Sequence, residues 1–118
     1  SGDGKSFSCD DIALALALDM IKQGDDELVS PLARVFLYLP LEHAEKTDVQ
    51  DLSVAMFEKL VHEAEGDDIP VFESFLEYAR QHRDVVARFG RFPHRNEMLG
   101  RESTAEETEF LKEPGSRF

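Results

Sequence analysis

Tryptophan is absent from this chain of 118 residues, cysteine occurs once, and no apolar run is longer than the seven residues Ile12–Leu18. Each shortage excludes something. A lone Cys9 allows neither an intramolecular disulfide nor a site of several thiolates, and it favours a reducing compartment. Taken alone, it reads as a small buried thiol before it reads as a nucleophile. A seven-residue apolar run is far too short to span a bilayer. Seven glycines and five prolines are too few for a fibrous or low-complexity chain. Basic residues are scarce as well: 13 Lys and Arg stand against 25 Asp and Glu, a net charge of −12. That field repels phosphate backbones and anionic lipid surfaces, so neither nucleic acid nor membrane is an expected partner. No secretory segment opens the sequence. Its first residue is Ser1 rather than Met, which reads as a processed, trimmed or internal piece of a longer product.

What the chain does hold is one domain's worth of apolar residues, 42% including nine Phe, enough for a single core over residues 1–118. Spacing predicts helix nearly throughout. Asp10 or Asp11 caps a first helix that reaches Gln23 and stops at Gly24. Ser30-Pro31 opens a second, with Leu32, Val35, Phe36 and Leu39 as its buried stripe and Pro40 as its end. A third runs from about Asp48 to Ala64 and buries Leu52, Met56 and Leu60. Gly66-Asp67-Asp68 then repeats the punctuation of Gly24-Asp25-Asp26, a faint sign of stacked helical pairs. The fourth helix, Val71 to about Phe89, buries Phe72, Phe75, Leu76, Ala79, Val86 and Phe89. Its wet face pairs Glu77 with Arg80 and Asp84 with Arg88. Pro93 opens a short turn ending at Gly100, and Ser103-Thr-Ala-Glu106 reads as a capping box for a last helix through Lys112. The expected fold is all-α, short antiparallel helices stacked on one another, with residues 1–9 and 114–118 poorly ordered.

Between Arg80 and Arg101 the charge balance inverts: six Arg and two acids give +4, against −16 over the rest of the chain. Every cation there is Arg, the side chain suited to bidentate contacts with carboxylate or phosphate. His82 and His94 lie in the same window, and Phe89 and Phe92 interleave the charges. His82 and Arg83 fall between Ala79 and Val86 on the buried stripe, where a polar group must find partners. One reading makes His82, Arg83, Arg91, His94, Arg95 and Asn96 an anion-accepting segment at the start of the Pro93 turn, with His43 a secondary candidate. The other makes the same arginines clamps on acids such as Glu42, Glu45 or Asp48, an internal network with no ligand. Sharper chemistry fails on spacing. His82-Arg83-Asp84 copies a kinase triplet, but Phe89 stands where Asn is needed. His62-Glu63 lacks a second zinc-binding His, and no di-iron, calcium-loop, P-loop or nucleophile-elbow pattern occurs. No metal and no cofactor is expected.

Two strings are distinctive: Phe36-Leu-Tyr-Leu-Pro-Leu-Glu-His43, and His82-Arg-Asp-Val-Val-Ala-Arg-Phe-Gly-Arg-Phe-Pro-His-Arg-Asn96 followed by Leu99-Gly-Arg-Glu-Ser-Thr104. They resemble the signature of a bacterial family named for a domain of unknown function, number 924, over about Phe7 to Leu111. The resemblance implies a tetratricopeptide-like helical array, a cytoplasmic location and no assigned activity. Members of that family carry further helices ahead of the segment resembling Gly4-Lys-Ser-Phe7, so this chain looks like the C-terminal part of one. Apolar surface on the first helix would then be uncovered, and self-association through it is expected.

Two functions of different class follow. The first is an interaction or ligand-binding module whose Arg and His segment grips an acidic peptide or a small anion. The alternative is an enzyme acting on a phosphorylated or carboxylated metabolite, with His82 or His94 as acid–base and arginines holding the anion. Internal carboxylates capping the arginines would favour architecture, whereas convergence of His82, His94 and Arg95 on a cleft would favour a site.

Overall fold

The structure, a computed structural model, describes residues 9–118. Residues 1–8 and the side chain of Cys9, where a poorly ordered terminus and a conceivable nucleophile were expected, lie outside the described residues. Five α-helices follow one another: α1 (Cys9–Gln23), α2 (Pro31–Glu42), α3 (Thr47–Glu63), α4 (Asp68–Phe89) and α5 (Ala105–Phe110). Short 3-10 turns stand at Asp25–Leu28 and Pro93–Arg95, and no strand occurs among the described residues. No helix among them is long and apolar enough to cross a membrane.

The punctuation follows from local chemistry. Asp10 and Asp11 sit in the first turn of α1 and Lys22 in its last, each charge matched to the helix dipole. Gly24 and Gly90 then take the left-handed backbone that ends α1 and α4, at φ 78° and 74°. Pro31 occupies the first position of α2, where its missing N–H costs nothing. Pro40, expected to end that helix, lies inside it. The carbonyl its ring deprives of a partner belongs to Phe36, on the side where solvent reaches the chain, so the break is tolerated.

Packing corrects the expected face of α2. Leu32 and Phe36 are 59% and 68% exposed, while Arg34, Val35, Tyr38, Leu41 and Glu42 are buried. The helix is apolar on most sides, so spacing alone did not fix its rotation; the polar groups did. Arg34 donates to Val29 O at 2.9 Å and reaches Glu63, and Tyr38 donates its hydroxyl to buried Asp26. On α3 the buried side is Val49, Gln50, Ser53, Val54, Phe57 and Leu60, with Leu52 and Met56 only partly covered. The main core joins Val35 and Tyr38 of α2, Val54, Phe57 and Leu60 of α3, and Phe72, Leu76 and Ala79 of α4. A smaller cluster of Ala17, Leu41, Ala44 and Val49 attaches α1. Val85, Val86 and Phe92 form a third, which anchors the C-terminal segment. The capping box of the last helix stands one residue later than expected: Thr104 is the cap and Glu107 its partner.

Between α2 and α3 the chain reverses around Gln50. Its Nε2 donates to the carbonyls of Glu42 at 2.7 Å and Ala44 at 2.8 Å, with Leu41 O at 3.4 Å, and the side chain is wholly buried. Leu41 O also takes the Ala44 N–H at 3.3 Å, but Glu42 O at the helix end and Ala44 O in the loop have no other donor among the described residues. Gln50→Leu keeps the volume and strands them, so stability should fall by about 1–3 kcal/mol. A urea titration with an unchanged slope and a lower midpoint would bear this out; an unchanged midpoint would mean the carbonyls find water.

Candidate anion-binding cleft

The loop that follows α4 is held by two carboxylates. Glu107 takes Arg91 Nη2 at 2.7 Å and Nε at 2.8 Å, while the same Nη2 reaches Glu102 O at 2.8 Å. Glu45, in the loop after α2, takes Arg101 through both Nη groups at 2.9 and 3.0 Å and the Phe92 N–H at 2.7 Å. Buried Asn96 links the two, accepting from Arg101 Nε at 3.0 Å and donating to Ser103 Oγ at 3.0 Å. Arg91 lowers the Glu107 carboxyl to about 2 against the opposing effect of its burial. Burial pushes Glu45 up, but the Arg101 and Phe92 hydrogen bonds outweigh it and leave that carboxyl below its ordinary range.

This frame sets the Pro93–Arg95 turn against the end of α2, and a cleft of about 160 Å³ opens there. At 30 Å³ per molecule it has room for about five waters. His43, His82, His94 and Arg95 supply its polar lining, and Tyr78, Phe92 and Phe118 its rings. His82 is 2% exposed on the buried face of α4, and its Nδ1 lies 2.8 Å from Tyr78 O. A backbone carbonyl only accepts, so Nδ1 carries the proton and Nε2 of the neutral ring is the acceptor. Behind His82 lies Glu42, 1% exposed, with Oε1 3.8 Å from His82 Nδ1 and no hydrogen-bond partner. His94 Nδ1 is likewise buried without one.

Distance alone would make Glu42 and His82 an ion pair. Burial removes the charge from both: it pushes Glu42 up to about 7 and His82 down to about 4, the latter helped by His43, His94 and Arg95. Between those values the contact is a neutral acid beside a neutral imidazole. Burial and the neighbouring Arg95 also hold His43 and His94 below their ordinary range.

The seven residues singled out from sequence therefore divide. His43, His82, His94 and Arg95 meet at the cleft. Arg91 and Asn96 belong to the frame beside it. Arg83, expected on the buried stripe, is half-buried and pairs with its neighbour Asp84 at 3.2 Å. Asp84 is thus taken, and Arg88 pairs with Glu106 at 3.0 Å instead of the expected Asp84. The Glu77–Arg80 pair forms at 3.9 Å. Of the acids considered as clamps, Glu45 is one, but its arginine is Arg101; Glu42 contacts no arginine, and Asp48 in the first turn of α3 accepts from the Val49 N–H. Tyr78 was missed, although its place one turn before His82 on the same helix was a signal for it. Phe118 carried no local signal, and residues 114–118, expected to be poorly ordered, fold back with Ser116 buried.

Arg95 is the arginine of the 80–101 window that has no carboxylate within 4.0 Å among the described residues. Its guanidinium lies 4.7 Å from the Phe92 ring centre. Larger grooves exist, about 450 Å³ by Ser30, Leu32, Glu63 and Val71 and about 550 Å³ along α1; the charged groups of the first are the acids Glu63, Glu65 and Asp68, and the second is mostly apolar. Among the described residues, no three His, Cys, Asp or Glu side chains gather as a metal site would require.

A family model described as bacterial protein of unknown function (DUF924) matches residues 1–115. A solved structure, that of the protein of unknown function ATU0120 from Agrobacterium tumefaciens, is 40% identical with a TM-score of 0.73. The match covers 89% of this chain and 53% of that one, so the chain spans about half the length of this relative. No curated protein matches.

The buried pair makes stability depend on pH in two opposed ways. Folded Glu42 holds its proton up to about 7, unfolded only to its ordinary 4.5. The folded state binds more protons across that window, so this group's contribution falls as pH rises from 4.5 to 7. His82 acts oppositely, its contribution being lost as pH falls from its ordinary 6.5 toward 4. Glu42→Gln removes the first effect alone. Urea midpoints should show the variant gaining about 1–3 kcal/mol on the parent between pH 4.5 and 7; a difference independent of pH would place the Glu42 titration elsewhere.

Proposed function

The chain belongs to the bacterial DUF924 family, and from its own cleft we propose that it is a binding module for a small anion, a phosphate or carboxylate group. The observation that carries this reading is Arg95. Five of the six arginines in the basic window are satisfied by carboxylates, while Arg95 faces a cleft shared with three histidines and is satisfied by none. An anion there would meet a fixed guanidinium, and it would raise the affinity of His43 and His94 for protons that burial and Arg95 now oppose. The volume suits a head group, not a nucleotide.

Titration calorimetry with inorganic phosphate tests it. Arg95→Ala should weaken binding by about ten- to a hundredfold, the worth of one charged hydrogen bond, while leaving the melting temperature near that of the parent. Arg91→Ala should do the reverse, since it strips buried Glu107 of its partner. Sulfate, a dianion at both pH values, should bind more tightly at pH 6 than at pH 8 through proton uptake at His43 and His94. No heat with any of these anions would end the proposal.

An enzyme reading draws on a different observation, an unprotonated His82 Nε2 inside the same cleft with a neutral carboxyl behind it. Its sign would be turnover of a phosphate ester that His82→Asn abolishes. The tetratricopeptide-like arrangement, the cytoplasmic location and the correspondence to the C-terminal part of longer members also belong to this proposal. The aligned share of 53% in the solved relative supports a partial correspondence. Self-association through α1 is supported by Ile12 and Leu16, 53% and 61% exposed along one groove. Sedimentation equilibrium at tens of micromolar should give a dimer that Leu16→Glu dissociates; a monomer throughout would reject it.

A further inference from the structure

Phe118 holds a place in the cleft that its tether does not explain. Its ring stacks on His82 at 3.9 Å between centres, with planes 22° apart, and meets the rings of Tyr78, Phe92 and His94 edge-on at 5.8–6.0 Å. Four aromatic rings thus surround a fifth. Yet its backbone makes no hydrogen bond among the described residues, and neither does that of Arg117. The last fastening before it is at Ser116, whose N–H reaches Glu113 O at 3.3 Å and whose hydroxyl reaches Leu111 O at 3.2 Å. The ring in this slot also packs against the Val85, Val86 and Phe92 cluster, so Phe118 is held by packing and not by hydrogen bonds.

The slot also has the chemistry of a site. An imidazole face and three ring edges suit any planar aromatic or heteroaromatic group. Directly beside them is Arg95, stacked on Phe92 at 4.7 Å and without a carboxylate partner, and His94 with a buried, unpartnered Nδ1. The existing 160 Å³ takes the head group, and release of Phe118 would add the volume of a ring.

We propose that the cleft binds an aromatic anion, its ring taking the place of Phe118 against His82 and its phosphate- or carboxylate-type head meeting Arg95. This rests on the anion-binding reading above and narrows it to a ligand class. Phe118 is then a displaceable plug that competes with the ring of the ligand and not with its charge.

The chain has no tryptophan, so Phe118→Trp introduces a single indole reporter at the plug. Three probes are titrated: inorganic phosphate, methylphosphonate and phenylphosphonate. Phenylphosphonate should bind at least tenfold more tightly than methylphosphonate, and it alone should shift the indole emission to the red as the plug is expelled. In a second variant, Phe118→Ala, phenylphosphonate should bind at least tenfold more tightly than in the parent, with phosphate affinity unchanged within twofold. If all three probes bind alike and the emission stays fixed, the aromatic slot is refuted while the anion site stands. If Phe118→Ala binds phenylphosphonate no better than the parent, the plug is refuted as a competitor. If no probe binds either variant or the parent, both readings fall together.

Discussion

Glu45 lies in the loop after α2, and its carboxylate takes both Nη groups of Arg101 and the N–H of Phe92, joining positions 56 and 47 residues apart in sequence. Three donors on one carboxylate is the strong form of this interaction, because each bond is charge-assisted and the guanidinium docks with fixed geometry. The segment it captures has little regular structure of its own, being a three-residue turn followed by irregular chain up to α5. Phe92, wholly buried beside Val85 and Val86, supplies the apolar half of the attachment. With the backbone of Phe92 fixed, the next residues can only turn back over the end of α2. His94 and Arg95 therefore reach the same space as His43. Glu107 does the equivalent for the far side of the loop, clamping Arg91 while capping its own helix.

Inside that frame the fold tolerates a costly choice. Glu42 and His82 are buried at 1% and 2% exposure in a helical core where apolar residues would fit. Taking two charges out of water costs more than their attraction returns unless the geometry is very good, and here it is not: the separation is 3.8 Å and Glu42 Oε1 has no donor. Between about pH 4 and pH 7 the molecule resolves this by giving up the charges. A protonated carboxyl and a neutral imidazole need far less solvation, which is what the opposite displacements of the two groups express. The consequence reaches the cleft. His82 presents an uncharged face, suitable for stacking, while the positive charge in the cleft is concentrated on Arg95.

How much of this was legible in the sequence depends on which residues carried unambiguous pattern. The end of α4 and most of its buried face could be read because its charged and apolar positions recur at helical spacing and Gly90 ends it. The helix begins at Asp68, however, three residues before the expected Val71, with Pro70 inside its first turn. α2 could not, since apolar side chains occupy most of its circumference and only the partners of Arg34, Tyr38 and Glu42 fix its rotation. Those neighbours are Val29 O, Glu63 and Asp26, which take hydrogen bonds or ion pairs, and His82, which Glu42 only approaches at 3.8 Å; Glu63, Asp26 and His82 lie in other elements. The inverted charge of the Arg80–Arg101 window was plain, but the division of its arginines between frame and cleft was not. That division is decided by Glu45 and Glu107, which look like any other acids in a chain with 25 of them. Pairing across long separations leaves no local trace, and the position of Phe118 is the extreme case.

The charge arithmetic bears on what such a cleft can bind. A net charge of −12 repels any anion at long range, so electrostatic steering works against capture. Screening at physiological salt limits that penalty to roughly 8 Å from the surface. Selectivity must then come from contacts made after arrival, in a small cleft where a guanidinium has no competing carboxylate. Ion pairing by the surrounding acids serves that end: each paired arginine is withdrawn from the solvent-facing potential, and the one left unpaired lies where rings limit the approach. Such a site discriminates by shape and stacking more than by charge count. On the proposed reading, the same acidic surface that discourages nucleic acid would sharpen a cleft of 160 Å³ toward a ligand whose charge is small, local and attached to something flat.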